Sequence, residues 1–244
     1  MADMRLYQFP ISHYCEKVRF ALDYKGIDYS TRNLLPGLHR LTTTRIGKGS
    51  SVPVLSHHGV AIQGSAAIIT YLDENFPQQP LTPSDPSLRA EALAWERWLD
   101  ADVGPAVRRY CYHTLLDHRA LTTGFFTSDG PWWGRPYLML SYKSLAKTMR
   151  EFMDINEASA GHSLTRIQGF LERLNGEYAA RKFLVGHSFS RADLAAAALF
   201  APMFQPPQYG LEWPAQMPQP LRGVADKMMP ELEWAQRMYQ DYRN

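Results

Sequence analysis

Ser12 and Cys15 stand two residues apart, just after Pro10-Ile11 ends an apolar segment and before a stretch with helical patterning. A helix start offers free backbone amides and the positive end of the dipole. It therefore stabilises a thiolate, whether that sulfur belongs to the protein or to a bound ligand. A plainer reading stands beside this one: Ser12 is a good N-cap residue and Cys15 a small residue that packs as a hydrophobe. Two further features could enclose an anion near the same place. Val52-Pro53 opens a strand, where Pro leads an edge or takes a cis bond, and a cis peptide would turn the Val52 amide and carbonyl toward the first helix start. Gln63-Gly64-Ser65 precedes another helix, whose amides and Ser65 hydroxyl would form a second anion site. Taken singly, Val52-Pro53 is a bend and Ser65 a cap; together they surround one pocket.

The elements that must position these residues can be read from periodicity and breakers. Residues 4–9 read as a buried strand, residues 13–25 as a helix closed by Gly26, and residues 28–33 as a second, more polar strand. A loose segment around Pro36-Gly37 follows. Residues 52–56 and 60–62 then read as a hairpin turning at His57-His58-Gly59, and residues 65–75 as a helix. Residues 76–87 carry four prolines in a linker-like stretch, after which strand signals vanish. Helical patterns cover residues 87–101, 136–156, 163–180 and 232–242, and Ser190-Arg191-Ala192-Asp193 has the form of a capping box, with Phe189 and Leu194 placed as a staple. The expected division is residues 1–77, a linker at 78–87, and an all-helical unit at 88–244. Residues 122–136, with Trp132-Trp133, and 201–220, rich in proline, read as segments longer than connection requires: a substrate lid, packed surface loops or dimer contacts.

Composition narrows the function classes. With 45% hydrophobic and 20% charged residues, the chain of 244 residues has material for true cores. The formal charge of +2 is dispersed, so no nucleic-acid partner is expected. Asp3 and Arg5 interrupt any apolar leader and no apolar run is long enough to span a bilayer, so no membrane partner and a cytoplasmic location are expected. Two cysteines, Cys15 and Cys111, suit a reducing compartment. His57-His58, and His113 with His118, lack a helical ligand spacing, so no metal is expected.

In order and spacing, the chain resembles the glutathione transferase family. The features that carry the resemblance are Ser12 and Cys15 at the first helix, Gly37-Leu38-His39, Val52-Pro53-Val54-Leu55, Ser65-Ala66-Ala67-Ile68, the Pro-containing linker and the box at Ser190 to Asp193. It is most similar to the serine-type branch, with its theta- and zeta-like classes, because Ser occupies the first position of the former C-x-x-C. The resemblance implies an α/β thioredoxin-like N-terminal domain of order βαβαββα followed by an all-α helical-bundle domain. It implies that Ser12 donates its hydroxyl hydrogen to the sulfur of glutathione, the co-substrate, which transfers to a small hydrophobic electrophile held against the helical domain. Val52, before Pro53, would pair with the cysteinyl part, Ser65 would hold the γ-glutamyl carboxylate, and His39 would lie near the glycyl carboxylate. A homodimer is implied as well. Two positions depart from the pattern: Gly64 stands where the family usually has an acid or Gln, with Gln63 one residue earlier, and Ser51 stands where it often has Lys or Gln. Another branch uses a Tyr near Tyr7, but counting back from Cys15 places Gln8 there, so Tyr7 reads as core. Alternatives left open are a glutathione-dependent thiol reductase, peroxidase or isomerase, and a non-catalytic scaffold with the same fold.

Overall fold

The structure, a computed structural model, describes residues 4–243; Asp3 lies outside them. The first layer is built from β1 (Arg5–Gln8), α1 (His13–Tyr24), β2 (Ser30–Asn33), α2 (His39–Ile46), β3 (Val54–His57), β4 (Val60–Gln63) and α3 (Ser65–Asn75). The sheet order is β2-β1-β3-β4. β1 runs parallel to β2 and antiparallel to β3, and β3 and β4 form an antiparallel hairpin. A parallel pair needs a crossover, and α1 supplies it. The buried Val18, Phe20, Ala21 and Leu22 press α1 into the interior, where it meets α3. This is the thioredoxin-like arrangement.

The segment read as loose is the helix α2. Its pattern is hidden because only Thr43 is buried and Thr42-Thr43-Thr44 is β-branched. The Thr43 and Thr44 hydroxyls also bond back to the His39 and Arg40 carbonyls, the competition that makes Thr a weak helix signal. The hairpin is shifted by a residue or two: β3 extends to His57, β4 to Gln63, and the turn is His58-Gly59, both at positive φ.

The helical part comprises α4 (Pro86–Trp98), a π-helical turn (Leu99–Val103), α5 (Gly104–Leu115), α6 (Arg119–Thr127), α7 (Gly134–Met153), α8 (Glu157–Ala180), α9 (Arg191–Phe204), α10 (Leu221–Met228) and α11 (Glu233–Tyr242). Three helices escape the sequence reading. α5 begins with Gly104-Pro105, which looks like a stop, yet Pro in a first turn loses no helical bond. α6 takes residues 119–127, so the long loop expected over 122–136 shrinks to 128–133, and α10 lies inside the stretch read as Pro-rich connection. α8 starts earlier than residue 163, capped by Asn156 reciprocally with Ser159.

α9 is buried along its whole length and packs on α1, α4, α5 and α11. Its start is the expected capping box. Asp193 accepts from the Ser190 amide at 3.1 Å and hydroxyl at 2.9 Å, and also from the Leu184 amide at 2.7 Å and the Tyr178 hydroxyl at 3.1 Å. Next to it, Arg191 crosses between the two layers. It donates to Glu96 at 2.7 Å, to Thr70 and Thr82 at 3.1 and 3.0 Å, and to the Ala66 carbonyl at 2.9 Å. Glu96 also pairs with Lys17 of α1 at 2.8 Å. In the first turn of α1, Glu16 accepts from Arg243 and from Tyr239 of α11, fastening the C-terminal helix to the layer that carries Ser12. Among the described residues, no helix is long and apolar enough to cross a membrane.

Candidate functional site

Ser12 ends the β1–α1 connection in extended conformation, and its Oγ accepts from the Cys15 amide at 3.4 Å. That bond uses a lone pair. The hydroxyl hydrogen meets no nitrogen or oxygen acceptor among the described residues and has only the Cys15 sulfur beside it, so capping does not consume the donor. Ser12 is half-buried and opens onto a cavity of about 510 Å³ between the layers. Cys15 is wholly buried, does not line that cavity, and has its thiol pushed up by burial, against a smaller opposing effect of the Ser12 hydroxyl beside it.

A second cavity, of about 380 Å³, adjoins the first, since Val52 and Tyr14 line both. The Val52–Pro53 peptide is cis. Ser65 opens α3 on the wall of this cavity, with Gly64 and Gln63 before it. The side chain of Gln63 serves the loop that leads to Val52. It accepts from the Lys48 amide at 3.0 Å and donates to the Ser51 carbonyl at 2.7 Å and hydroxyl at 3.3 Å. Ser51 itself lines the larger cavity, as does His39. His39 begins α2 with Nδ1 accepting from the Gly37 amide at 3.1 Å, and it rests edge-on against Phe9. Burial first, and Arg40 second, lower its pKa, so the ring is neutral.

Gly64 holds φ 95° and ψ 138°, outside the range open to residues with a Cβ, while an added Cβ there would meet no atom within 4 Å. The position needs glycine for its backbone, not for space. Gly64→Ala should therefore cost about 1–3 kcal/mol from strain alone, read as a lowered urea midpoint with unchanged slope.

Three site residues were not found from the sequence. Asp100, on the π-helical turn, lines the smaller cavity with Ser65, and its carboxylate accepts from Lys17 Nζ at 2.7 and 2.8 Å. Burial raises its pKa and Lys17 opposes this. Tyr14 donates to the Asp100 carbonyl at 2.6 Å, an approach possible because Gly104 has no Cβ to strike the Tyr14 hydroxyl. Burial pushes the Tyr14 phenol up, so it stays protonated. Arg108 of α5 lines the larger cavity. A π-helical turn often marks a functional position, but this one shows only in the structure, and nothing local in the sequence singles out Asp100.

Of the long segments singled out, Trp132 and Trp133 line neither cavity, whereas Phe126, Trp213 and Met217 line the larger one. Tyr7 packs with Leu34 and Val54 and lines neither cavity. Gln8 is buried, donating to Asn33 and accepting from Arg19.

Comparison with known proteins adds the following. The sequence profile described as "Glutathione S-transferase, N-terminal domain" matches residues 6–80. Glutathione S-transferase 1 of Dianthus caryophyllus is 43% identical over 155 residues, 60% of this chain and 65% of that protein. Glutathione S-transferase Z2 of Arabidopsis thaliana is 40% identical over 92 residues, 36% of this chain and 41% of that protein. The matched regions thus span less than two thirds of these relatives' own length. Among solved structures, the beta-etherase LigF from Sphingobium sp. strain SYK-6 superposes with TM-score 0.66 at 20% identity, covering 97% of this chain and 95% of that one. A glutathione S-transferase from Methylobacillus flagellatus KT with GSH bound gives 0.61 at 19% identity, covering 98% and 95%. At these identities the structural likeness is one of fold.

Proposed function

We propose that the chain is a glutathione S-transferase, a reading supported by the match of its N-terminal region to that family's domain, and that it binds glutathione across the two adjoining cavities and transfers its sulfur to a hydrophobic electrophile. The observation that carries this reading is the Ser12 hydroxyl, whose hydrogen capping does not use, at the junction of a helix start and a largely apolar cavity. A thiol of pKa about 8.5 is only a few per cent ionised at neutral pH, and a donor aimed at the sulfur favours the anion. The thiolate then forms the C–S bond. The displaced pair leaves with a leaving group or, in an addition to an enone, moves to the carbonyl oxygen, and the carbon gains a proton from solvent.

In this reading the glutathione-binding unit is residues 1–77, the linker 78–87, and the electrophile side 88–244. Val52 pairs with the cysteinyl backbone, and the Ser65 amide and hydroxyl receive the γ-glutamyl carboxylate at the α3 start. Asp100 supplies the carboxylate that Gly64 lacks and holds the γ-glutamyl ammonium. Asp100→Asn should weaken glutathione binding roughly ten- to a hundredfold, the worth of one charge-assisted hydrogen bond, measured by calorimetry. His39 and Ser51 stand on the loop side, where the glycyl end would lie. We also place the protein in the cytoplasm as a homodimer, which light scattering tests.

Burial of Cys15 away from the cavity argues against a reductase using that thiol. The scaffold alternative predicts no heat with millimolar glutathione; saturable binding, followed by conjugation of a model electrophile, is the expected result.

A further inference from the structure

The buried cations of this protein are paired: Lys17 with Glu96 and Asp100, Lys25 with Asp73, Arg19 and Arg243 with Glu16, and Arg191 with Glu96. Arg108 breaks the rule. It is half-buried on α5, its Nε is shut off from solvent, and it has no hydrogen-bond or ion-pair partner among the described residues. It faces the larger cavity, and no Asp or Glu lines that cavity.

A second unpartnered group stands beside it. His13 is 4% exposed, lines the same cavity, and has an Nε2 with no hydrogen-bond partner. Its pKa is lowered to about 3, first by burial and then by the charge of Arg108, so a neutral imidazole adjoins a fixed cation. Much of the remaining lining is apolar or aromatic, including Tyr112, Leu115, Phe126, Met149, Trp213 and Met217, with the hydroxyls of Ser141, Ser144 and Thr148 and a second cation, Arg40, also on the wall. The Nε of Arg108, shut off from water and without an acceptor, is a donor that an anion entering the cavity would satisfy. The planar guanidinium fork suits a carboxylate. A volume of about 510 Å³ is that of an ordinary small-molecule site.

We propose that Arg108, with His13 Nε2 as a second donor, seats a carboxylate of the acceptor substrate, so that the electrophile is an apolar, ring-sized molecule bearing one carboxylic acid. This rests on the transferase reading above and names its substrate class. The thiolate held by Ser12 attacks the electrophilic carbon, while Arg108 fixes the carboxylate and excludes neutral electrophiles of the same shape from the tightest register.

The matched pair trans-3-benzoylacrylate and its methyl ester tests this, since both carry the same enone. The quantity read is the acid-to-ester ratio of kcat/KM with glutathione, in the unaltered protein, Arg108→Gln and Arg108→Lys, each checked for folding by circular dichroism. The expected result is a ratio that falls ten- to a hundredfold in Arg108→Gln, the value of a charge-assisted hydrogen bond, and falls less in Arg108→Lys. A ratio that keeps its value overturns the proposal, and so does a parallel loss on both substrates, which would assign Arg108 to the thiolate or to the fold. Calorimetry with the inert 3-benzoylpropionate and its methyl ester reads the seat without turnover. Preference for the acid that Arg108→Gln removes would uphold the carboxylate seat even if glutathione failed to bind and the transferase reading fell; no preference overturns the seat.

Discussion

Replacing Arg191 with Ala should destabilise the protein by about 3–5 kcal/mol, the cost of stranding a buried charge by removing its partner. The side chain is 1% exposed and binds Glu96, Thr70, Thr82 and the Ala66 carbonyl at once. Its loss leaves Glu96, equally buried, with Lys17 alone. For a chain of this size the melting temperature should drop by roughly 6–20 °C, at about 2–4 °C per kcal/mol. Arg191→Ala combined with Glu96→Ala should cost less than the sum of the two single changes, because the second removes the charge the first strands. Ala66 is in the first turn of α3, so the same variant should also loosen the start of the helix that walls the smaller cavity. Thermal unfolding and glutathione calorimetry on one preparation would show both effects, and full additivity in the pair would contradict the account.

Ser12→Ala should have the largest effect on chemistry and little on folding. The capping bond from the Cys15 amide is long, at 3.4 Å, so its loss should cost no more than about 1 kcal/mol. The hydroxyl donation to a sulfur anion is a charge-assisted bond of about 1.5–3 kcal/mol, equivalent to about one to two units in the bound thiol's pKa. At neutral pH, kcat/KM should then fall roughly ten- to a hundredfold. The sign of the pH dependence follows. Where the pH exceeds the raised pKa of the variant, both proteins hold thiolate, so the gap should narrow as pH rises through about 9. A rate profile across about pH 6–10, a range that brackets both thiol pKa values, checks this.

Which parts of the site were legible from sequence follows from how local each signal is. Ser12, Val52-Pro53 and Ser65 announce themselves because a cap, a proline at a strand start and a small hydroxyl before a helix are determined within a few residues. Ser190 to Asp193 was legible for the same reason. Asp100 and Arg108 were not, because their place depends on how α4, the π-helical turn and α5 pack across α1, some ninety residues away in sequence. α2 was hidden by exposed, β-branched Thr, and α5 by a Gly-Pro start that reads as a breaker. Gln63 shows the converse: its position beside Ser65 is local, but its role in holding the loop at Lys48 and Ser51 appears only once β4 is paired. Even the apparent conflict between capping and catalysis at Ser12 needed geometry to resolve, since one uses a lone pair and the other the hydrogen.

The central claim is that the Ser12 hydroxyl holds bound glutathione as a thiolate, and titration of the thiolate's ultraviolet absorption in the complex tests it most directly. The account predicts an apparent pKa about two units below the free thiol's roughly 8.5 in the unaltered protein, and a value returned most of the way to the free thiol in Ser12→Ala. An equally depressed pKa in both proteins, or none in either, would contradict it.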